Sequence, residues 1–149
     1  MLRKTFNLIA FVLIVGFIEG GFAQNGYSQN FDNFTVHHSV FSSTVLSAEI
    51  AEQYKLIRSK DRVFINIAVI PNNQTIGGVE AVISGTAANL MQQQKTLEFH
   101  KITETGTTYY LASLRHTDRE VFHFLINVDP PGPEGPYQLK FTKELYVNP

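Results

Sequence analysis

Five histidines are the only nitrogen ligands the chain can offer a metal, and two of them, His37 and His38, are adjacent. The other three are His100, two residues after Glu98; His116, two residues before Asp118; and His123, within an apolar run. None of these spacings is diagnostic for zinc, although Glu98 with His100 on one face of a strand is an arrangement that strand-borne metal sites use. A second group is the hydroxyl run Ser42, Ser43, Thr44 and Ser47, which follows the histidine pair and invites a nucleophile reading. That reading needs a base and an orienting acid within hydrogen-bond reach, and the local sequence supplies neither. Ser84, in "ISGT", lacks the Gly-x-Ser-x-Gly elbow of the α/β-hydrolases. The carboxylates are scattered, so no acid and base pair for glycoside hydrolysis can be assigned. The residues therefore nominate no catalytic group, no cofactor-binding group and no metal ligand. Enzyme activity has no named nucleophile or base.

The elements that would have to position these groups read as strands. In "FTVHHSV" Phe34, Val36, His38 and Val40 share one face, while Thr35, His37 and Ser39 share the other. Successive side chains on a strand point to opposite faces, so the twin imidazoles diverge and cannot easily grip one ion. His38 is expected partly buried, with its ring hydrogen-bonded to a backbone or hydroxyl partner, and His37 is expected in solvent. Ser47 suits the N-cap of a short helix, "AEIAEQYK", in which Ile50 and Tyr54 lie one turn apart and face inward.

Further strands follow at even spacing: "RVFINIAVI", "VEAVISG", "TLEFHKI", "YYLASLRH", "EVFHFLINVD" and "YQLKFTKELYV". Between them lie the turn signals Pro71-Asn72-Asn73, Gly77-Gly78, "ETGTT", "HTDR" and "PPGPEGP". Seven strands and one short helix predict an all-β fold, a seven-strand immunoglobulin-like β-sandwich. Residues 24 to 30 read as a frayed lead-in. The run "EVFHFLINVD" is apolar on both faces. Its outer residues Val121, His123 and Leu125 are expected to lie beneath the segment from residue 44 to 58, or otherwise to form a homodimer or partner surface. Of Tyr109 and Tyr110, one ring is expected in the core and the other outside.

The ends and the composition place the protein. "MLRKTFNLIAFVLIVGFIEGGFAQ" has a basic start, an apolar stretch and small residues at Gly21 and Ala23, the pattern of a secretory signal peptide cleaved after Ala23. The expected organisation is a signal peptide over residues 1 to 23 and one domain over residues 24 to 149, with no transmembrane segment once the signal is removed. There is no cysteine, so the domain must rely on its core alone. The full chain carries a net charge of −1, with both signs scattered and no basic stripe, which excludes nucleic acid as a natural partner. The sequons at Asn33 and Asn73 carry meaning only in a eukaryotic secretory pathway.

Several stretches together carry a resemblance. They are Ser84-Gly85-Thr86-Ala87-x-Asn89-Leu90, Gln94 before Leu97-x-Phe99, Tyr109-Tyr110-Leu111-Ala112, and the closing Phe141-Thr142-x-x-x-Tyr146, with "FSSTVLSAEIAEQYKLIRSKDR" upstream. In these the chain resembles a family of small exported gammaproteobacterial proteins, a domain of unknown function, over nearly the whole length after the signal. The resemblance implies a periplasmic, single-domain, sandwich-like protein and carries over no catalytic or ligand-binding residue. The functional expectation is a non-enzymatic periplasmic binding or protein-interaction module, with an unknown protein or a second copy as partner and no cofactor. The alternative is a small-ligand or metal-binding protein, or an enzyme, with a site between the short helix and the sheet.

Overall fold

The computed structural model describes residues 28–147. The proposed signal peptide, residues 1 to 23, lies outside the described residues. Nine strands form two antiparallel sheets. The five-stranded sheet has the order β1-β2-β3-β7-β6, from β1 (Ser28–Phe31), β2 (Phe34–Ser42), β3 (Arg62–Pro71), β7 (Thr107–Arg115) and β6 (Phe99–Glu104). The four-stranded sheet has the order β5-β4-β8-β9, from β5 (Gln94–Leu97), β4 (Val82–Asn89), β8 (Glu120–Asp129) and β9 (Tyr137–Leu145).

The two-residue period decides what lies between the sheets. Val36, Ile65, Ile67, Val69 and Ala112 from one sheet meet Ala87, Phe122, Ile126 and Val128 from the other, all fully buried in one apolar cluster. A second cluster lies on the outer side of the five-stranded sheet, where Leu46, Phe64, Ile102, Tyr109 and Leu111 are buried with Ile50, Tyr54 and Leu56 packed against them. This is where the helix sits. α1 (Ala48–Gln53) is capped by the Ser47 side chain, which accepts from the Ile50 N–H at 3.3 Å. It ends in a bond from the Leu56 N–H to the Ala51 carbonyl at 2.7 Å, with Lys55 left-handed at φ 55. Glycine is the usual residue at such a helix end.

Several expectations change. The doubly buried strands are β3 and β7, because α1 covers them, while the outer residues of β8 have no such cover among the described residues. The reason is connectivity: the segment from residue 43 to 61 joins β2 to β3, so α1 is tethered at both ends to the five-stranded sheet. Residues 28 to 31 are paired with Phe34 to His37 and are no frayed lead-in. "TLEFHKI" is two strands, since the chain leaves the four-stranded sheet at Leu97 and enters the other at Phe99. The strand expected over residues 79 to 85 instead runs from Val82 to Asn89 and is held at its end by Asn89. That side chain accepts from the Met91 and Gln93 N–H groups and donates to Gln93 and Glu120. Both tyrosines are buried: Tyr110 faces the core, where its hydroxyl accepts from the Ala81 N–H at 2.7 Å, and Tyr109 lies outside it, in the cluster beneath α1.

Gly78 marks the tightest approach in the crossover from β3 to β4, since a β-carbon there would stand 2.1 Å from the Thr108 carbonyl oxygen. Gly106, by contrast, has open space and only a positive φ of 75. Gly78→Ala is therefore expected to cost at least about 3 kcal/mol by overpacking, and Gly106→Ala about 1 kcal/mol by backbone strain. Urea denaturation of the two variants beside the parent measures the difference.

Candidate functional site

The hydroxyl run belongs to the scaffold. Ser43, fully buried, donates to the Ser59 carbonyl and accepts from the Ser59 N–H, both at 2.8 Å, pinning the 3-10 turn (Ser43–Val45) to the loop before β3. Ser42 accepts from the Thr44 N–H and caps that turn, and Ser47 caps α1. Ser84 is an exposed residue of β4.

The histidines are dispersed over separate surfaces. His37 is exposed on the outer side of β2, and burial of part of its ring holds its pKa below the ordinary value. His38 points between the sheets and is 8% exposed. Its ring stacks on Phe141 at 4.4 Å, and Phe141 stacks in turn on Phe124 at 4.6 Å. The hydrogen bond expected for the His38 ring is missing at Nδ1, which is buried with no partner among the described residues. The contact is aromatic because the facing strand presents Phe141 at that level and no hydroxyl. Burial, then the neighbouring His37 and Lys143, bring the His38 pKa down to about 4. His116 is buried at the end of β7, with Nδ1 against the Thr117 carbonyl at 2.8 Å, while Asp118 accepts from the Val147 N–H. Among the described residues, no three side chains of His, Asp or Glu come together.

His100 borders a cleft between the segment after α1 and the five-stranded sheet. Its floor is Leu56, Phe64 and Leu111, and its rim carries Lys55, Arg62 and Ser113, with Arg62 donating to the Ser113 hydroxyl at 2.7 Å. The volume is about 120 Å³, well below the several hundred typical of ligand pockets. His38, His100 and His123 thus do not converge.

The remaining surface is the outer side of the four-stranded sheet. A broad, open depression of about 450 Å³ crosses β4, β8 and β9, lined by Thr86, Ala88, Gln94, His123, Leu125, Lys140 and Thr142. His123 Nδ1 lies 2.8 Å from the Thr142 hydroxyl, its cross-strand partner. The surface offers small hydroxyls, one imidazole, one ammonium and a half-buried leucine. Sequence patterning missed Gln94, Lys140 and Thr142 as members of one surface, because strand order alone makes them neighbours.

β9 is the edge of that sheet, hydrogen-bonded to β8 on one side only. Its start is anchored to the opposite sheet by Tyr137, which stacks on Phe31 at 4.5 Å and donates to Asp32 at 3.1 Å. At the other flank, the crossing at Glu98 laces the two sheets together.

The model of a domain of unknown function, DUF4426, matches residues 28–148. The crystal structure of a DUF4426 family protein from Pseudomonas aeruginosa PAO1 is 32% identical and superimposes with a TM-score of 0.73, over 82% of this chain and 95% of that one. FetP of uropathogenic E. coli strain F11, recombinantly expressed in the periplasm of E. coli BL21(DE3), has a TM-score of 0.59 at 9% identity, over 83% of this chain and 95% of that one. At that identity the likeness is one of fold. No curated protein matches the chain.

The His38 environment has a measurable consequence. The ring is neutral and fully compatible with the fold above its ordinary pKa of 6.5; between there and about 4 the unfolded chain binds a proton that the folded one refuses. Stability is expected to fall across that window as pH is lowered, by about 2 kcal/mol once solvent at the sandwich edge is allowed for. His38→Phe should flatten the dependence. Urea midpoints between pH 7.5 and 4 provide the check, and an unchanged slope in the variant would show that other groups carry it.

Proposed function

This chain belongs to the DUF4426 family of domains of unknown function, and on that premise we propose that it is an exported, non-enzymatic protein-interaction module of the periplasm. It would act through its four-stranded sheet. One observation carries the reading: the only helix among the described residues covers the five-stranded sheet, which leaves the other sheet with a bare outer side and an unpaired nine-residue edge at β9. Recognition there would combine strand addition along β9 with side-chain contacts to Leu125, His123 and Thr86. The basic, apolar and small-residue pattern of residues 1 to 23 supports export and cleavage after Ala23, and no helix among the described residues is long and apolar enough to cross a membrane. We read the sandwich as immunoglobulin-like, a reading supported by two packed antiparallel sheets and by the strand that changes sheet at Glu98.

The alternative of a ligand or metal site between helix and sheet has less support, because the cleft there is small and brings His100 to no carboxylate. Immobilised protein is expected to retain a specific partner from periplasmic extract. Leu125→Glu on the bare side should reduce the retained amount at least tenfold, and Glu49→Lys, on α1, should not change it. Turnover of ester, peptide or glycoside substrates with no retained partner would reverse the reading.

A further inference from the structure

We infer that the partner of the β9 edge is a second copy of the same chain, joined about a two-fold axis through Thr142 so that Lys140 of each copy faces Glu144 of the other. This rests on the reading of the four-stranded sheet as the interaction surface. The argument starts from alternation. Leu139, Phe141, Lys143 and Leu145 point into the sandwich, and Gln138, Lys140, Thr142 and Glu144 point out. A two-fold axis perpendicular to the sheet keeps inward residues opposite inward ones, so it must pass through a residue and not between two.

That leaves few registers, and charge separates them. An axis through Lys140 or Lys143 sets identical lysines against each other, which is repulsive. An axis through Phe141 leaves Lys140 opposite Thr142 and puts Lys143 against Leu139 on the inner side. An axis through Thr142 matches Lys140 with Glu144 twice on the outer side, Leu139 with Leu145 twice on the inner side, and Phe141 with the stem of Lys143. Opposite charges directly across an antiparallel pair are stabilising.

Two further observations favour this occupant. Lysines on an edge strand ordinarily deter pairing with other chains, and β9 has two; in the Thr142 register Lys140 meets Glu144 and the Lys143 stem lies along Phe141, so the deterrent acts mainly against other registers and other strands. Phe141, deep in the aromatic stack with His38 and Phe124, is only half-buried at this edge and would gain cover from the second copy. Glu144 now accepts from the exposed Tyr146 hydroxyl and lies 3.8 Å from the exposed Arg119, so pairing with Lys140 of the other copy competes with these two contacts.

The absence of cysteine makes the test clean. Residues directly opposite in an antiparallel pair have Cα atoms about 4.5 to 5.5 Å apart, within disulfide range. Purified Thr142→Cys is expected to form an interchain disulfide under mild oxidation, and Gln138→Cys is not, because its opposite residue is Tyr146. In sedimentation equilibrium the unmodified chain should be a dimer. Lys140→Glu or Glu144→Lys alone should weaken it at least tenfold, and the two together should restore it. A monomer at all concentrations, a dimer indifferent to both charge reversals, or a cross-link at position 138 in place of 142 would overturn the inference. If the chain is a monomer yet still retains a different protein, lost in Leu125→Glu, the sheet remains the interaction surface and only its occupant is wrong.

Discussion

The tether of α1 between β2 and β3 is the constraint from which the rest of the molecule follows. A sandwich has two outer sides, and a single short helix can cover only one of them. Because both of its flanking strands belong to the five-stranded sheet, the helix has no length with which to reach the other sheet. The consequence is a molecule with unequal sides. One carries a second apolar cluster around Phe64, Tyr109 and Leu111; the other presents threonines, a histidine and a lysine over a half-buried leucine.

Much of this architecture could be read from the residues, and the boundary between what could and could not is physical. Alternation is a local property, so it placed His38 inside and His37 outside, and the equally local preference of a hydroxyl for a helix start assigned Ser47 to the cap. Whether a strand apolar on both sides is doubly covered depends on sheet order, which is not local. "EVFHFLINVD" and "RVFINIAVI" are alike as text, but β3 sits centrally beneath a helix and β8 does not. The change of sheet at Glu98 was invisible for the same reason: no glycine or proline marks it, and the period of two continues through the break. The candidate surface was the least legible part, since Gln94, His123 and Thr142 come from three strands and become neighbours only in the folded sheet.

The same dependence governs the histidines. Their types and spacing suggested reactive chemistry, and the sheets keep them apart. His38 is the instructive case. A ring whose Nδ1 has no partner among the described residues costs stability unless it stays neutral, and its compensation is face-to-face contact with Phe141. The imidazole here serves as a flat, half-apolar plate. Its neutrality is enforced by burial and by the positive groups around it, so it fills space near the edge strand and carries no charge there at ordinary pH.

The lacing of β5 to β6 through Glu98 also makes the two flanks of the sandwich unequal. On that flank the backbone passes directly from one layer to the other, and β5 is only four residues long. A body with long exposed edges on both flanks could add neighbours without end and become a fibre. Here the edges on the laced flank are short, four residues in β5 and six in β6 against nine in β9, so the longest template for adding a strand lies on the opposite flank.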